Sequence, residues 1–304
     1  MSEEIIKQTQ ALKPFFGALR KKALVAGVVF GGLAIAGYAQ DHEQFFRSYL
    51  LGYIYWTGLS LGCLALLLMH HLAGGRWGFA IRRLLEAGTR TFGLMFVLSL
   101  PVLALGMHEL FEWTHEDVVA ADSILQQKSP YLNTPFFIVR VACYFAVWGL
   151  LAFFLNKWSA AQDSMTDTYP TRRMQMLSGP GAVAFVLSAT LFATDWIMSL
   201  EPHWFSTIFP AIFILGQMLL TWAFMVLVTV PLSRRPPLDG LLTNERLRDL
   251  GTFMLGFIML WAYTSFSQLL IIWGANLPEE ITWYFTRLSE GWQNVGFALI
   301  AFHF

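Results

Sequence analysis

The chain contains seven apolar stretches, each close to the length that a helix needs to cross the hydrocarbon core of a membrane. A spanning helix needs about 20 such residues, and a chain in lipid must satisfy its backbone hydrogen bonds internally. The sequence therefore predicts an all-α, polytopic transmembrane helical bundle with seven full spans. The predicted spans are residues 23–39, 49–70, 88–108, 135–155, 181–200, 207–231 and 250–274.

The composition excludes an ordinary soluble domain, because 56% of the 304 residues are hydrophobic and only 13% are charged. The formal net charge of zero offers no basic face, so we expect no nucleic-acid partner. Residues 1–304 are predicted to form one integral membrane domain, since helices in one bilayer need not surround separate aqueous cores. Its non-spanning parts are predicted at residues 1–22, 109–134 and 232–249.

An eighth apolar stretch begins near Gly291 and is still apolar at Phe304. It is too short to span a membrane, and it stops without the polar or aromatic flank that normally follows a span. We therefore expect the natural protein to continue beyond this sequence, with its C-terminus truncated here.

The positive residues predict the orientation, because short cytoplasmic loops hold most Lys and Arg. One set of connections carries sixteen of them and the other set only three. The richer set is Lys7, Lys13, Arg20, Lys21, Lys22, Arg76, Arg82, Arg83, Arg90, Lys157, Arg172, Arg173, Arg234, Arg235, Arg246 and Arg248. The poorer set is Arg47, Lys128 and Arg287. The N-terminus is therefore predicted to be cytoplasmic.

Asp195 lies within the fifth predicted span, with apolar neighbours on both sides. An acid at membrane depth is costly and often marks a proton, ion or substrate route. Glu201 and His203 follow it towards the predicted outer surface and are candidates for further proton-relay groups. Asp195 could instead be a structural acid that hydrogen-bonds within the bundle. Arg140, about one turn inside the fourth span, is predicted either to reach the headgroups or to pair with such an acid.

A second polar group follows the third predicted span. If that helix continues, His108, Glu112 and His115 fall at positions i, i+4 and i+7 on one face. This spacing suits a hydrated helix end, a proton exit or partner-docking surface, or a metal site. The pattern lacks the His-Glu-x-x-His zinc signature, so we predict no metal here.

The seventh predicted span carries the polar sequence Tyr-Thr-Ser-Phe-Ser-Gln from Tyr263 to Gln268. These side chains could line a chain of water molecules, and we include Tyr263 and Gln268 among the relay candidates. Polar groups between membrane helices also serve as packing contacts, so a structural role is equally open.

The remaining special residues favour packing over chemistry. Cys63 and Cys143 have no paired spacing, so we interpret both as small buried hydrophobes. Six glycines in the first two spans are predicted to allow close helix approach. They are Gly27, Gly31, Gly32, Gly52, Gly58 and Gly62. His70 and His108 end spans at opposite sides of the membrane, so they cannot share a haem.

Four segments together suggest a family: residues 49–78, 128–140, 194–209 and 268–284. The third contains Glu-Pro-His-Trp-Phe-Ser and the fourth Trp-Gly-Ala-Asn-Leu-Pro-Glu-Glu. In this order they resemble the smaller, quinone-binding-type membrane subunit of bacterial alternative complex III, a quinol:cytochrome c oxidoreductase. Its membrane subunits are polysulfide-reductase-like (NrfD-like) integral proteins. The resemblance covers nearly the whole chain.

The resemblance implies a multi-pass subunit of a respiratory complex in the bacterial inner (plasma) membrane. Such a subunit would bind no haem or metal itself, while contact with quinone is left open. Its implied partners are a larger homologous membrane subunit, an iron–sulfur/molybdopterin-type subunit, and multi-haem and mono-haem cytochrome c subunits. By this analogy Asp195 and its neighbours would carry protons past the subunit, and the quinol would be oxidised elsewhere in the complex.

Two other classes of protein remain open from the residues alone. A secondary transporter would also place acids within the membrane, although no inverted repeat is apparent in the sequence. A purely structural membrane anchor for periplasmic electron-transfer subunits would need Asp195 only as a hydrogen-bonded acid. Measurements of proton movement would distinguish a proton-conducting subunit of the respiratory complex from an anchor. Uptake of a substrate would identify a transporter.

Overall fold

The computed structural model describes residues 13–75, 77–163, 169–235, 242–289 and 291–303, and within these ranges it contains helices without any strand. The first half forms α1 (Lys13–Gln40), α2 (His42–Ala73), α3 (Trp77–Thr89), α4 (Phe92–Pro101) and α5 (Met107–Leu110). Two short helices follow, α6 (Glu116–Ala121) and α7 (Ser123–Lys128). The second half forms α8 (Thr134–Gln162), α9 (Tyr169–Trp196), α10 (Phe209–Leu232), α11 (Asn244–Ala275), α12 (Pro278–Leu288) and α13 (Trp292–His303).

Among the described residues, seven helical stretches are long and apolar enough to cross a membrane, which confirms the predicted spans as a class. Six of them are single helices: α1, α2, α8, α10, α11, and α9 with the short 3₁₀ turn that extends it. The third, Trp77–Leu110, is assembled from α3, α4 and α5. A turn at Arg90 and Thr91 separates α3 from α4, and a π-helical turn, Val102–Gly106, joins α4 to α5. Pro101 stands directly before the π turn, where its missing N–H breaks the regular hydrogen-bond pattern.

Several helix starts follow from side chains that cap the first free N–H groups. Asp41 accepts a hydrogen bond from the Gln44 N–H at 3.0 Å and so separates α2 from α1. Asn133 caps α8 through the Phe136 N–H at 3.0 Å, and a proline occupies the first turn of that helix. The C-terminal end of α11 is also defined locally, because Asn276, the residue after it, adopts a left-handed conformation with φ of 49°.

Some boundaries differ from those predicted. α1 begins at Lys13, well before the apolar run at 23–39, so part of the predicted N-terminal segment is helical. The loop predicted at 109–134 contains the end of α5 together with α6 and α7. Hydrophobicity marks the lipid-facing length of a helix and carries no information about its polar extension. Predictions for Lys7, Arg76 and residues 236–241 lie outside the described residues.

α2 is the central helix of the bundle. In its most apolar 18-residue window, 72% of the residues are buried, whereas the corresponding window of α1 has none. α2 packs against α3, α9 and α10, and α9 packs along α8. Two glycines explain the approach of α10: a Cβ atom at Gly62 would lie 2.0 Å from the Thr221 Oγ1 atom, and one at Gly58 would overlap the Gln217 side chain. The prediction of close approach is thus confirmed for these two glycines.

The bundle has two ends, which we name after the buried acid near each. The Asp195 end holds the α1/α2 turn, α6, α7 and the connection between α9 and α10. There the His203 side chain hydrogen-bonds to Asp122. The Glu86 end holds the start of α3 and the end of α8, where Arg83 forms an ion pair with Asp163. Successive connections between the spans therefore lie at opposite ends of the bundle, as the predicted order of spans requires.

Candidate functional site: a buried arginine–aspartate pair

Asp195 forms a two-pronged ion pair with Arg140. The Arg140 Nε atom donates to Asp195 Oδ2 at 2.8 Å, and its Nη2 atom donates to Oδ1 at 3.0 Å. Asp195 is fully buried and Arg140 is 6% exposed. Of the two roles predicted for Arg140, pairing with an acid in the bundle is therefore the one observed. Because the two opposite charges cancel and are hydrogen-bonded to each other, both side chains can lie inside an apolar bundle.

The two helices that carry the pair are neighbours along the bundle. Arg140 lies in the second turn of α8, and Asp195 lies in the last turn of α9. Because α8 leaves the Asp195 end and α9 returns to it, residues distant in sequence come to the same depth. The Ser199 hydroxyl donates to the Asp195 carbonyl oxygen and fixes the chain where α9 ends.

Two tyrosines complete the surroundings of the pair. The Tyr144 hydroxyl donates to Asp195 Oδ2 at 2.6 Å, and the Arg140 Nη1 atom donates to the Tyr131 carbonyl oxygen at 2.8 Å. The guanidinium also stacks 3.8 Å from the centre of the Tyr131 ring and 4.4 Å from that of Phe136. Burial, followed by the nearby charge of Asp195, raises the pKa of Tyr131, which keeps this phenol neutral. Asp195 thus accepts three side-chain hydrogen bonds within an aromatic enclosure.

Glu201 and His203, the predicted next relay groups, lie at the same end as Asp195, but their side chains contact other residues. Glu201 is 3.8 Å from the Arg287 Nη1 atom, and His203 hydrogen-bonds to Asp122. The His203 contact lowers the pKa of the Asp122 carboxyl. Within the part of the chain that the structure describes, no hydrogen bond joins either residue to Asp195. The structure therefore gathers these side chains at one end without forming a continuous chain of bonds.

The third span does not continue through the polar segment after it. The helix ends at Leu110, and Phe111 is extended before a separate 3₁₀ turn, Glu112–Thr114. A continuous third helix was the condition for His108, Glu112 and His115 to share one face, and this condition is not met. The chain nevertheless folds back so that the imidazole rings of His108 and His115 stack, with centres 3.8 Å apart. The His115 Nε2 atom lies 2.8 Å from the His108 carbonyl oxygen.

His108, Glu112 and His115 line a cavity of about 580 Å³ at the Asp195 end. Its other polar walls are Glu43, Arg47 and Glu109, and Arg47 forms an ion pair with Glu43. Among the described residues, no group of three His, Cys, Asp or Glu side chains is arranged to hold a metal ion. The cavity is polar and open, as a hydrated surface pocket would be.

The two relay candidates on α11 lie in different environments. Tyr263 is 69% exposed and points away from the packed interior of the chain. Gln268 is buried, and its Nε2 atom has no hydrogen-bond partner among the described residues.

The two cysteines differ in exposure. Cys63 is buried, as predicted, whereas Cys143 is exposed, so the prediction that both are buried is wrong for Cys143.

Glu86 is a second buried acid that sequence reasoning missed. It is 2% exposed and lies in α3, within 3.2 Å of the Arg82 Nε atom and 2.8 Å of the Arg83 Nη1 atom. The Ser159 hydroxyl donates to its Oε1 atom at 2.5 Å and ties α8 to α3. The i+3 and i+4 spacing of two arginines and an acid on an amphipathic helix was the available signal. Loop charge alone assigns Arg82 and Arg83 to a cytoplasmic connection and predicts no partner for Glu86.

This fold defines a multi-pass transmembrane helical protein with a buried ion-pair cluster near each end of the bundle. No protein-family model matches the chain, and no curated protein matches it.

Proposed function

We propose that the chain is a membrane subunit of a respiratory quinol:cytochrome c oxidoreductase, or of a complex with another periplasmic acceptor. It would lie in the bacterial inner membrane with a cytoplasmic N-terminus and conduct protons past Asp195. The four ordered sequence segments support the kind of complex. The single structural observation behind the proton role is the buried Arg140–Asp195 pair, because ionisable groups inside a membrane bundle typically lie on ion or proton routes.

The geometry suggests how the pair would take part in proton movement. A proton that reaches Asp195 cancels the charge that holds Arg140, so the two-pronged contact weakens. The guanidinium keeps its bond to the Tyr131 carbonyl oxygen and its stacking on that ring, so it stays held when the pair weakens. Release of the proton towards the Asp195 end restores the pair. The proposed role of this chain is thus to gate protons, while partner subunits carry the electrons.

The proposed complex places further requirements on the surface of the chain. It would contain the larger homologous membrane subunit, the iron–sulfur/molybdopterin-type subunit and the c-type cytochromes. α1 and α11 are the least buried spans, with 0% and 11% of their most apolar windows buried. Their apolar outer faces are suited to contact with lipid or with helices of a larger membrane subunit.

Purification of the tagged full-length protein from native membranes tests the proposed complex. The proposal predicts co-purification with c-type haem proteins and inhibitor-sensitive quinol oxidation by the isolated complex. A colourless protein that purifies alone, without quinol activity, would rule the complex out. Uptake of a substrate by the isolated protein in vesicles would instead identify a secondary transporter.

The proton role is tested with Asp195→Asn in the intact complex, reconstituted in vesicles with a pH-sensitive dye. We expect fewer protons moved per quinol oxidised while co-purification is retained. Tyr144→Phe is the milder variant should Asn prevent assembly, because it removes one donor and keeps the ion pair. Asp163→Asn is the matched control, since this acid also pairs with an arginine but is exposed. Unchanged proton movement in both Asp195→Asn and Tyr144→Phe would refute the role.

A structural anchor is the second candidate, favoured by one observation. Asp195 already accepts bonds from Arg140 and Tyr144, so its hydrogen-bonding capacity is largely used in holding α8 against α9. For an anchor, Asp195→Asn would reduce assembly of the complex. The complexes that still assembled would move the usual number of protons per quinol.

A further inference from the structure

Four buried polar atoms near the Asp195 pair have no hydrogen-bond partner among the described residues. They are Trp196 Nε1, Tyr53 Oη, Thr57 Oγ1 and Gln217 Oε1. We name them the polar seam. Buried polar groups in folded proteins are nearly always hydrogen-bonded, so unpartnered atoms close together require a common explanation.

Two contacts place Trp196 and Gln217 against the same segment of α2, residues 53–58. Trp196 directly follows Asp195, and its ring centre is 4.8 Å from that of Tyr53 on α2. Thr57 lies one turn further along α2 and is fully buried, and its hydroxyl lies close to that of Tyr53 without forming a hydrogen bond of ordinary geometry. The Oε1 atom of Gln217 on α10 lies against Gly58, the residue next to Thr57, where a Cβ atom would be only 1.7 Å away. The seam thus runs from the ion pair into the junction of α2, α9 and α10.

Packing alone does not require polar atoms at these positions. Phe would fill nearly the same space as Tyr53, and Val the same space as Thr57, without introducing a donor that needs a partner. A buried tryptophan and a buried tyrosine nearby, by contrast, do have hydrogen-bond partners. Trp148 is equally buried, but its Nε1 atom donates to the Ser188 hydroxyl at 2.8 Å. Tyr144 is similarly buried, and its hydroxyl donates to Asp195.

We propose that the polar seam binds a short file of internal water molecules, which supply the missing hydrogen-bond partners. Water is the ligand that fits, because the seam combines a donor at Trp196, an acceptor at Gln217 and two hydroxyls that can do either, and one water molecule can serve all of these. The hydration follows from the seam atoms themselves. Its use as the inward continuation of the proton route past Asp195 rests on the proposed function.

X-ray radiolytic labelling of the full-length protein in its native complex tests the seam. Radiolysis of bound water creates hydroxyl radicals beside it, so hydrated side chains are modified even when bulk solvent does not reach them. Trp196 and Tyr53 should be labelled several-fold faster than their matched controls, Trp148 and Tyr144. Equal labelling within each matched pair, whether slow or fast, would overturn the proposal.

Substitution within the seam gives a second test. Thr57→Val keeps the shape and removes one partner for water, so labelling of Tyr53 and Trp196 should fall towards that of the controls. Tyr53→Phe, read at Trp196, serves the same purpose if Thr57→Val does not assemble. Unchanged fast labelling in these variants would contradict a water file at the seam. If labelling behaves as expected while Asp195→Asn leaves proton movement intact, the seam stands and the proposed proton role fails.

Discussion

At the scale of single residues, the environment decides what an ion pair contributes. Arg47 and Glu43 form a pair with both side chains more than half exposed, and such pairs contribute about 0–1 kcal/mol. Arg140 and Asp195 have almost no contact with solvent. Their desolvation offsets much of their attraction, but removal of one partner leaves an uncompensated charge. The buried pair is therefore the more sensitive to substitution.

Asp195→Asn should lower the free energy of unfolding by about 3–5 kcal/mol, because it leaves the Arg140 guanidinium buried without a counter-charge. Asp163→Asn should cost less than about 1 kcal/mol, since that acid is exposed at the surface. Denaturant titration of both variants in detergent measures the difference. Similar losses in the two variants would mean that burial does not set the contribution of the pair.

The contact between Asp122 and His203 predicts a pH dependence at the Asp195 end. The hydrogen bond from His203 lowers the pKa of the Asp122 carboxyl. A carboxyl with a lowered pKa stabilises the folded contact above its ordinary value of about 3.9, and this stabilisation is lost as pH falls through the lowered value. The contact should therefore persist through the mildly acidic range and break only in stronger acid.

Spin labels at the exposed residues Gln127 and Phe205 would report this change. The distance distribution should stay narrow from about pH 7 to pH 5 and broaden only below about pH 4. Asp122→Asn should remove the transition in this acid range. A transition near neutral pH, or the same transition in the Asn variant, would show that another group controls the contact.

At the scale of elements, glycines determine how closely α2 and α10 approach. The sequence predicts this role for six glycines without distinguishing among them. In the structure a Cβ atom at Gly62 would lie 2.3 Å from the Gln217 carbonyl oxygen, whereas one at Gly52 would have no atom within 4 Å. A backbone carbonyl within a helix cannot easily move aside, so Gly62 is the more constrained position.

Gly62→Ala should therefore destabilise the bundle by about 1–3 kcal/mol, the usual cost of extra volume in a packed interior. Gly52→Ala is the matched control in the same helix and should leave stability unchanged or increase it slightly, because Ala favours helix. Thermal unfolding in detergent compares the two. Equal midpoints would show that the α2–α10 contact tolerates an added methyl group.

At the scale of the whole molecule, the charges of the loops differ strongly between the two ends. The excess of positive residues in one set of loops predicts that the Glu86 end faces the cytoplasm. Lys128 and Arg287 at the other end are both engaged, the first with the Pro202 carbonyl oxygen and the second with Glu201. The Asp195 end therefore presents mainly acidic groups, such as Glu109 and Glu116, to its aqueous side.

Cysteine labelling in intact cells tests this orientation. In a background without Cys63 and Cys143, Asp117→Cys should react with a membrane-impermeant maleimide. Arg234→Cys should react only after the cells are permeabilised. Both positions are exposed, so burial does not explain a difference between them. The opposite labelling pattern would reverse the orientation and place Asp195 at the cytoplasmic side.

The sequence by itself determined that the described part of the chain forms seven helices long and apolar enough to span a membrane, since lipid imposes a minimum apolar length on each. It also marked Asp195 and Arg140 as costly charges at membrane depth. It left open whether the two meet, because they are 55 positions apart and belong to different spans.

Only the tertiary structure decided which polar groups share an environment. It brought Arg140 to Asp195, tied Glu86 to Ser159 across 73 positions, and ended the third span at Leu110. These outcomes depend on which helices are neighbours and on their rotation about their own axes. Hydrophobicity sets the length of a membrane helix but leaves both of these undetermined, because lipid is as apolar as the packed interior.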